Sequence, residues 1–318
     1  VRKALQQLSD DGWLAQQVGS GCYVTATMEG QGTARMIALM HMGTPDYLTA
    51  IQDYALQNGH ILGVYSQLRS RWDLASEAEF LRCLQSQPHR LLLAACSPIR
   101  PYNEELLREI EARGTRIIHV EPYSDDLPSQ GFFLPDYRRS GYAAAMKLML
   151  AGYKHLVYID MQNDGPPLRL PGHGFLQALG DRSGKSEEWR CYDSHSTGSN
   201  RFDMPPGHLP GAAKDIIGFL KAMEGDVGLV VGSFSRAEFL KQLISEAGLR
   251  VPEQVGLIGI QTAAEHMQES AWLSRFVFDR AAAAQKAISI ALAPKYQDIR
   301  EMVAPQFIDA GTVRQPRG

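Results

Sequence analysis

Few side chains in this chain stand at spacings that do covalent chemistry. Nine histidines are spread along it, none in an HExxH arrangement, and neither GxSxG nor GxxxxGK[ST] occurs. No zinc hydrolase, serine nucleophile or phosphate-binding loop is therefore signalled. Cys22, Cys83, Cys96 and Cys191 are scattered, without a CxxC pair. They read as reduced thiols of a cytoplasmic protein, not as a disulfide frame or a zinc site. Asp160 and Asp164 are two lone carboxylates, too few to argue for a hard cation. The expectation is no catalytic residue, no metal and no cofactor. What remains is non-covalent binding, and a carboxylate such as Asp160 at a strand end suits it, since a buried carboxylate needs a partner.

Elements of alternating type would position such residues. Met36–Met40, Ile61–Tyr65, Leu91–Ala95 and Arg116–Val120 are short apolar runs that predict buried parallel strands, with Phe132–Leu134 a further short strand. Helices are predicted at Tyr47–Gln57, Ser76–Leu84 and Asn103–Arg113. The pattern then repeats. Helices are expected at Gly141–Leu150, around Phe175–Leu179, and at Ala212–Met223, Arg236–Ala247 and Ala281–Leu292. Strands are expected at His155–Asp160, Arg190–Tyr192, Val227–Val231 and Val255–Gly259. Two such series imply two parallel sheets, each covered by helices on both faces. Ligands of these sheets bind outside the carboxyl ends of the strands. Ser194–Gly211 is polar and rich in proline and glycine, either a lid or, on base rates, a surface loop.

The 318 residues suffice for a small domain and a two-lobed one. A net charge of -3 gives no global attraction to nucleic acid, so any DNA binding rests on a local basic patch. No stretch is long and apolar enough to span a bilayer. The chain begins at Val1, already in the middle of a helical pattern, so an upstream segment is expected.

That first pattern is specific. Val1, Ala4, Leu5 and Leu8 share one helical face, Arg2 and Lys3 lie on the other, and Gly12 ends the helix. Trp13–Gln17 and Cys22–Thr25 read as strands around a tip of Gly19, Ser20 and Gly21. VRKALQQLSDDGWLAQQVGSGCYV resembles the second half of a GntR-type winged helix. The resemblance implies that Arg2 and Lys3 meet phosphates or base edges in the major groove and that Gly19, Ser20 and Gly21 form the wing tip. A solvated amphipathic helix beside an unrelated hairpin is the plainer alternative. Residues 28–34 read as a linker after this partial domain of residues 1–27.

The remainder, residues 35–318, resembles the LacI/GalR effector domain. Asp136-x-x-x-x-Gly141, Leu148–Ile159, Gly174–Leu179, and Gly248–Pro252 with Val255–Gly259 match its motifs in order. The resemblance implies an α/β, two-lobed fold of the type I periplasmic-binding-protein kind, with lobe 1 at about 35–134 and 276–294 and lobe 2 at about 135–275 and 295–318. It implies a cleft between the lobes, a homodimer, and a small-molecule effector that governs binding to operator DNA. The sugar-binding positions of the family are altered. Its G-F-D-D is Gly259-Ile260-Gln261-Thr262, its strand-end Asn-Asp is Phe234-Ser235, and its arginine before GF is Pro171, with Arg169 nearby. Asp160, Arg169, Phe234, Gln261 and Tyr47 are the expected ligand-binding residues, with Asp136 either in the cleft or ordering the inter-lobe crossing. For Phe234 and Tyr47 core packing is the competing role, and for Arg169 a solvated loop. A transcriptional repressor is the expected function, not an enzyme, and a solute-binding protein of the same fold is the rival.

Overall fold

The computed structural model describes residues 14–17, 21–24, 36–41, 45–66, 74–85, 91–96, 102–120, 127, 131–159, 170–182, 189–192, 212–223, 226–232, 234–261, 272–293 and 299–315. At the N-terminal end, strands β1 (Leu14–Gln17) and β2 (Gly21–Val24) pair antiparallel, with Gln17 opposite Gly21. The helix expected over Val1–Leu8, the tip residues Gly19 and Ser20, and the basic residues Arg2 and Lys3 lie outside the described residues.

The first sheet is built from β3 (Met36–His41), β4 (Ile61–Ser66), β5 (Leu91–Ala94), β6 (Arg116–His119), β7 (Gly131–Pro135) and β13 (Ile299–Val303), in the order β13-β7-β6-β5-β3-β4. All its pairings are parallel. Helices α1 (Pro45–Gln57), α2 (Leu74–Gln85), α3 (Glu104–Ala112) and α8 (Arg280–Ala291) cover it. Strand side chains alternate between faces. Ile37, Leu39, Leu91, Leu93 and Ile118 pack with Ile51 of α1 and Ala284, Ala287 and Ile288 of α8. Ala38, Met40, Leu92, Ala94 and Ile117 pack with Leu81 of α2 and Leu107 and Ile110 of α3. Burial on both faces explains the unbroken apolar runs.

The second sheet holds β8 (His155–Ile159), β9 (Trp189–Tyr192), β10 (Val227–Val231), β11 (Val255–Ile260), β12 (Arg275–Val277) and β14 (Gln306–Ile308), in the order β14-β12-β11-β10-β8-β9. Only β14 runs antiparallel to its neighbour. Helices α4 (Tyr137–Leu150) and α5 (Leu170–Arg182) cover one face, and α6 (Ala212–Ala222) and α7 (Phe234–Glu246) the other. Helices α4 and α5 cross backbone to backbone. A Cβ on Gly141 would overlap the Pro171 carbonyl, and one on Gly174 would overlap that of Arg138.

Three features differ from the sequence reading. Helix α4 begins at Tyr137, not Gly141, because the Asp136 carboxylate accepts from the Arg139 N–H at 2.9 Å and caps the earlier turn. Ile299–Val303, assigned by sequence to lobe 2, is the edge strand of the first sheet, paired along Gly131–Pro135. Phe276 and Val277, assigned to lobe 1, belong to the second sheet through β12, and the change of lobe comes at α8.

Candidate functional site

The chain passes between the sheets three times, each time from the C-terminal end of a parallel strand. Pro135 leads into α4, Val277 into α8, and Val303 into β14. The carboxyl ends of both sheets therefore face one junction, the position at which such sheets bind ligands. Each of the two helix-entering crossings is held by an aspartate cap. Asp136 caps α4, and Asp279 accepts from the Ala282 N–H at 2.9 Å to cap α8. The Asp136 N–H also donates to the Val303 carbonyl at 2.9 Å, tying the first crossing to the third. Beside them Tyr137 and Phe278 meet edge to face, with ring centroids 5.0 Å apart. Arg280, on the helix that packs against the first sheet, donates from Nη2 to the Tyr137 hydroxyl at 3.1 Å. Tyr137, Phe278 and Arg280 are all buried.

The second-sheet wall of this junction is built by β10, β11 and β12. Leu257 belongs to the core layer under α7, and by the two-residue period Gly259 and Gln261 face the same way. A Cβ on Gly259 would lie 3.5 Å from the Phe234 Cα at the start of α7. Arg275 stands opposite Gly259 in register and so shares this face. Its guanidinium carbon lies 5.5 Å from the centroid of the Phe234 ring, and its Nη1 donates to the Leu273 carbonyl at 3.2 Å. Gln261 is 4% exposed, and its Oε1 accepts no hydrogen bond among the described residues. Leaving a buried acceptor without a donor costs about 1–3 kcal/mol. The first turn of α7 carries no acidic residue.

The first-sheet wall is polar too. His119 ends β6 and is fully buried. Cys96 follows β5, and burial, with a smaller contribution from the Glu77 carboxylate, pushes its thiol well above the ordinary range. Glu77, in the first turn of α2, is 1% exposed and accepts from Asn103 Nδ2 at 2.9 Å. Among the described residues no group of His, Cys, Asp and Glu side chains is arranged to hold a metal ion.

Of the residues singled out from sequence, Gln261 and Phe234 come together on the second wall. Phe234 is buried in the core layer with Arg275 over its ring, so it is a wall element as well as a core residue. Asp136 lies at the first crossing, where its carboxylate caps α4. Tyr47 falls within α1, directly after the first strand, but its side chain is outside the described set. Asp160 and Arg169 lie outside the described residues. Sequence reasoning missed Arg275, Glu77 and His119. The signal for Arg275 was available, a single cation inside the apolar run Leu273–Phe278. Nothing in sequence marked Glu77, which reads as an ordinary residue of an amphipathic helix.

No family model matches the chain. The HTH-type transcriptional repressor PurR of Aliivibrio salmonicida is 22% identical over 214 residues, which are 67% of this chain and 59% of that protein. The chain thus spans less than two thirds of the length of this curated relative. Among solved structures, the dimeric Lac repressor with an 11-residue C-terminal deletion superposes with a TM-score of 0.65 at 14% identity, over 89% of this chain and 100% of that one. A LacI-family transcriptional regulator from Enterococcus faecium with bound ribose gives 0.64 at 13% identity, again over 89% and 100%. Two parallel sheets joined by three crossings, and these superpositions, show that the chain has the periplasmic-binding-protein-like α/β fold of LacI- and PurR-type effector domains.

Proposed function

We propose that this chain is the sensing part of a ligand-responsive transcriptional repressor. It takes a small metabolite, a sugar or a derivative of one, between the lobes, and operator DNA through a winged helix to which residues 1–27 belong. The observation that carries the reading is the triple crossing, with the carboxyl ends of both sheets facing one junction. A ligand bridging that junction favours one opening angle of the lobes. It acts only through its different affinities for the open and closed arrangements. The relative named as a repressor and the structural neighbour that holds ribose support the same reading.

Gln261, Phe234, Asp160, Arg169 and Tyr47 are the proposed cleft residues, with Asp136 fixing the hinge. Arg2 and Lys3 meet the DNA, and Gly19, Ser20 and Gly21 form the wing. The antiparallel pairing of Leu14–Gln17 with Gly21–Val24 supports that assignment. The protein acts in the cytoplasm as a homodimer, its two-fold axis matched to a pseudo-palindromic operator. Among the described residues no helix is long and apolar enough to cross a membrane.

The test is selection of genomic DNA fragments by a version of the chain extended upstream to complete the winged helix, followed by fluorescence anisotropy on the selected fragments. The expected result is sequence-specific retention whose affinity changes when a metabolite binds. Retention of no specific fragment, with metabolite binding intact, would leave a solute-binding protein of the same fold.

A further inference from the structure

The second-sheet wall carries more information about the ligand than its position does. Three kinds of group converge there. Gln261 Oε1 is a buried acceptor without a donor among the described residues. Arg275, 8% exposed, adds the planar guanidinium cation of an arginine. Helix α7, 13 residues long, begins at Phe234 and presents its N-terminal end without an acidic residue in the first turn. The first N–H groups of a helix have no intrahelical acceptor and attract anions. Gln261 and Arg275 are on one face of the sheet by register, and Phe234 connects them to the helix start.

Each feature selects a different part of a ligand. An amide oxygen demands a donor, from a hydroxyl or an N–H. The guanidinium and the helix N-terminus favour an oxyanion. Their side-by-side arrangement fits a molecule bearing both within a few bonds of each other. We propose that the cleft takes a hydroxylated anion, of the sugar-acid or sugar-phosphate class, with a hydroxyl donating to Gln261 Oε1 and the anionic oxygens facing Arg275 and the start of α7. This assignment rests on the cleft being the effector site and deepens that reading. It departs from neutral sugars such as the ribose held by the Enterococcus faecium regulator.

Two measurements on the purified chain test it. The first needs no ligand. Gln261→Leu removes, at nearly constant volume, an acceptor with no donor among the described residues, so the ligand-free melting temperature should hold or rise, as it does when a functional residue is traded for a stabilising one. A fall in melting temperature would mean that Gln261 has a structural partner, and would overturn the assignment.

The second is calorimetric titration with D-gluconate and D-ribose 5-phosphate, and with D-ribose and myo-inositol as neutral counterparts. At least one anion should bind about tenfold or more tightly than either neutral compound, with an affinity that falls as salt rises. Gln261→Leu and Arg275→Gln should each weaken that anion about tenfold or more, and Arg275→Lys should restore part of the loss by restoring the charge. Urea melts of both arginine variants check that they fold.

Tighter binding of a neutral compound, binding of neither anion, or anion binding indifferent to folded Gln261→Leu and Arg275→Gln variants would each overturn the class. The first of these outcomes would leave the sensor reading standing. Conversely, anion binding by a protein that retains no specific DNA would uphold this inference and remove the repressor.

Discussion

At the scale of single residues, burial and partners decide reactivity. Cys96 is buried between β5 and its covering helices, and its thiol is held protonated by desolvation, with Glu77 adding to the effect. Cys83 is exposed. Iodoacetamide at about pH 8 should modify Cys83 readily and leave Cys96 intact until denaturant is added, because only the thiolate reacts. Peptide mass spectrometry checks this, and early labelling of Cys96 would contradict its burial.

Asp226 shows the opposite case. Its carboxylate bonds to the Arg314 guanidinium and lies 3.2 Å from Lys154 Nζ. Chiefly through the Arg314 bond, and against a smaller penalty for burial, its pKa is held below the usual carboxylate range. A folded-state pKa below the unfolded one stabilises above the unfolded value of about 3.9 and is lost as pH falls through the folded value. Asp226→Asn should therefore cost about 1 kcal/mol at neutral pH. The gap to the parent should close as the pH drops below the carboxylate range. Equal stability of the two proteins at neutral pH, by urea denaturation, would show that the ion pair contributes nothing.

Elements are held by caps and by close approach. Asp136 precedes α4, and its side chain satisfies one of the N–H groups that a helix start leaves open. Asp136→Ala should cost about 1 kcal/mol of stability, visible as a lower urea midpoint. The crossing of α4 and α5 is tighter, since each helix presents a glycine to a carbonyl of the other. Gly174→Ala must push the helices apart, at about 2–3 kcal/mol or more. A melting temperature unchanged by that substitution would refute the backbone contact. Helix α4 starts at the first crossing, and α5 packs against it. The contact couples the two helices, so a displacement of α4 carries α5 with it.

For the whole molecule, the question is what sets the angle between the lobes. The buried hydrogen bond from Arg280 to the Tyr137 hydroxyl joins the helix that covers the first sheet to the helix that covers the second. Tyr137→Phe keeps the ring contact with Phe278 and removes the hydroxyl that accepts this bond. It should cost about 1 kcal/mol in stability and broaden the distribution of lobe angles. Small-angle scattering would read the broadening as a larger radius of gyration in the absence of ligand. An unchanged scattering profile would place control of the angle in the three backbone crossings alone.

Sequence alone determined the alternation of strands and helices, because central strands of a sheet covered on both faces are unbroken apolar runs, as at Leu91–Ala94 and Val227–Val231. Gln261 directly follows the run Val255–Ile260, and Phe234 opens α7 shortly after the run Val227–Val231. Strand β13 was not legible. Ile299–Val303 reads Ile-Arg-Glu-Met-Val, with Arg300 exposed at the sheet edge, and an edge strand needs no apolar run. Its place beside β7 is set by backbone hydrogen bonds to residues more than 160 positions away. The place of Arg275 over the Phe234 ring was hidden likewise, because the two residues come from separate elements. Facing across a sheet is fixed by register, and register comes from pairings between distant segments, which no local pattern of residue types encodes.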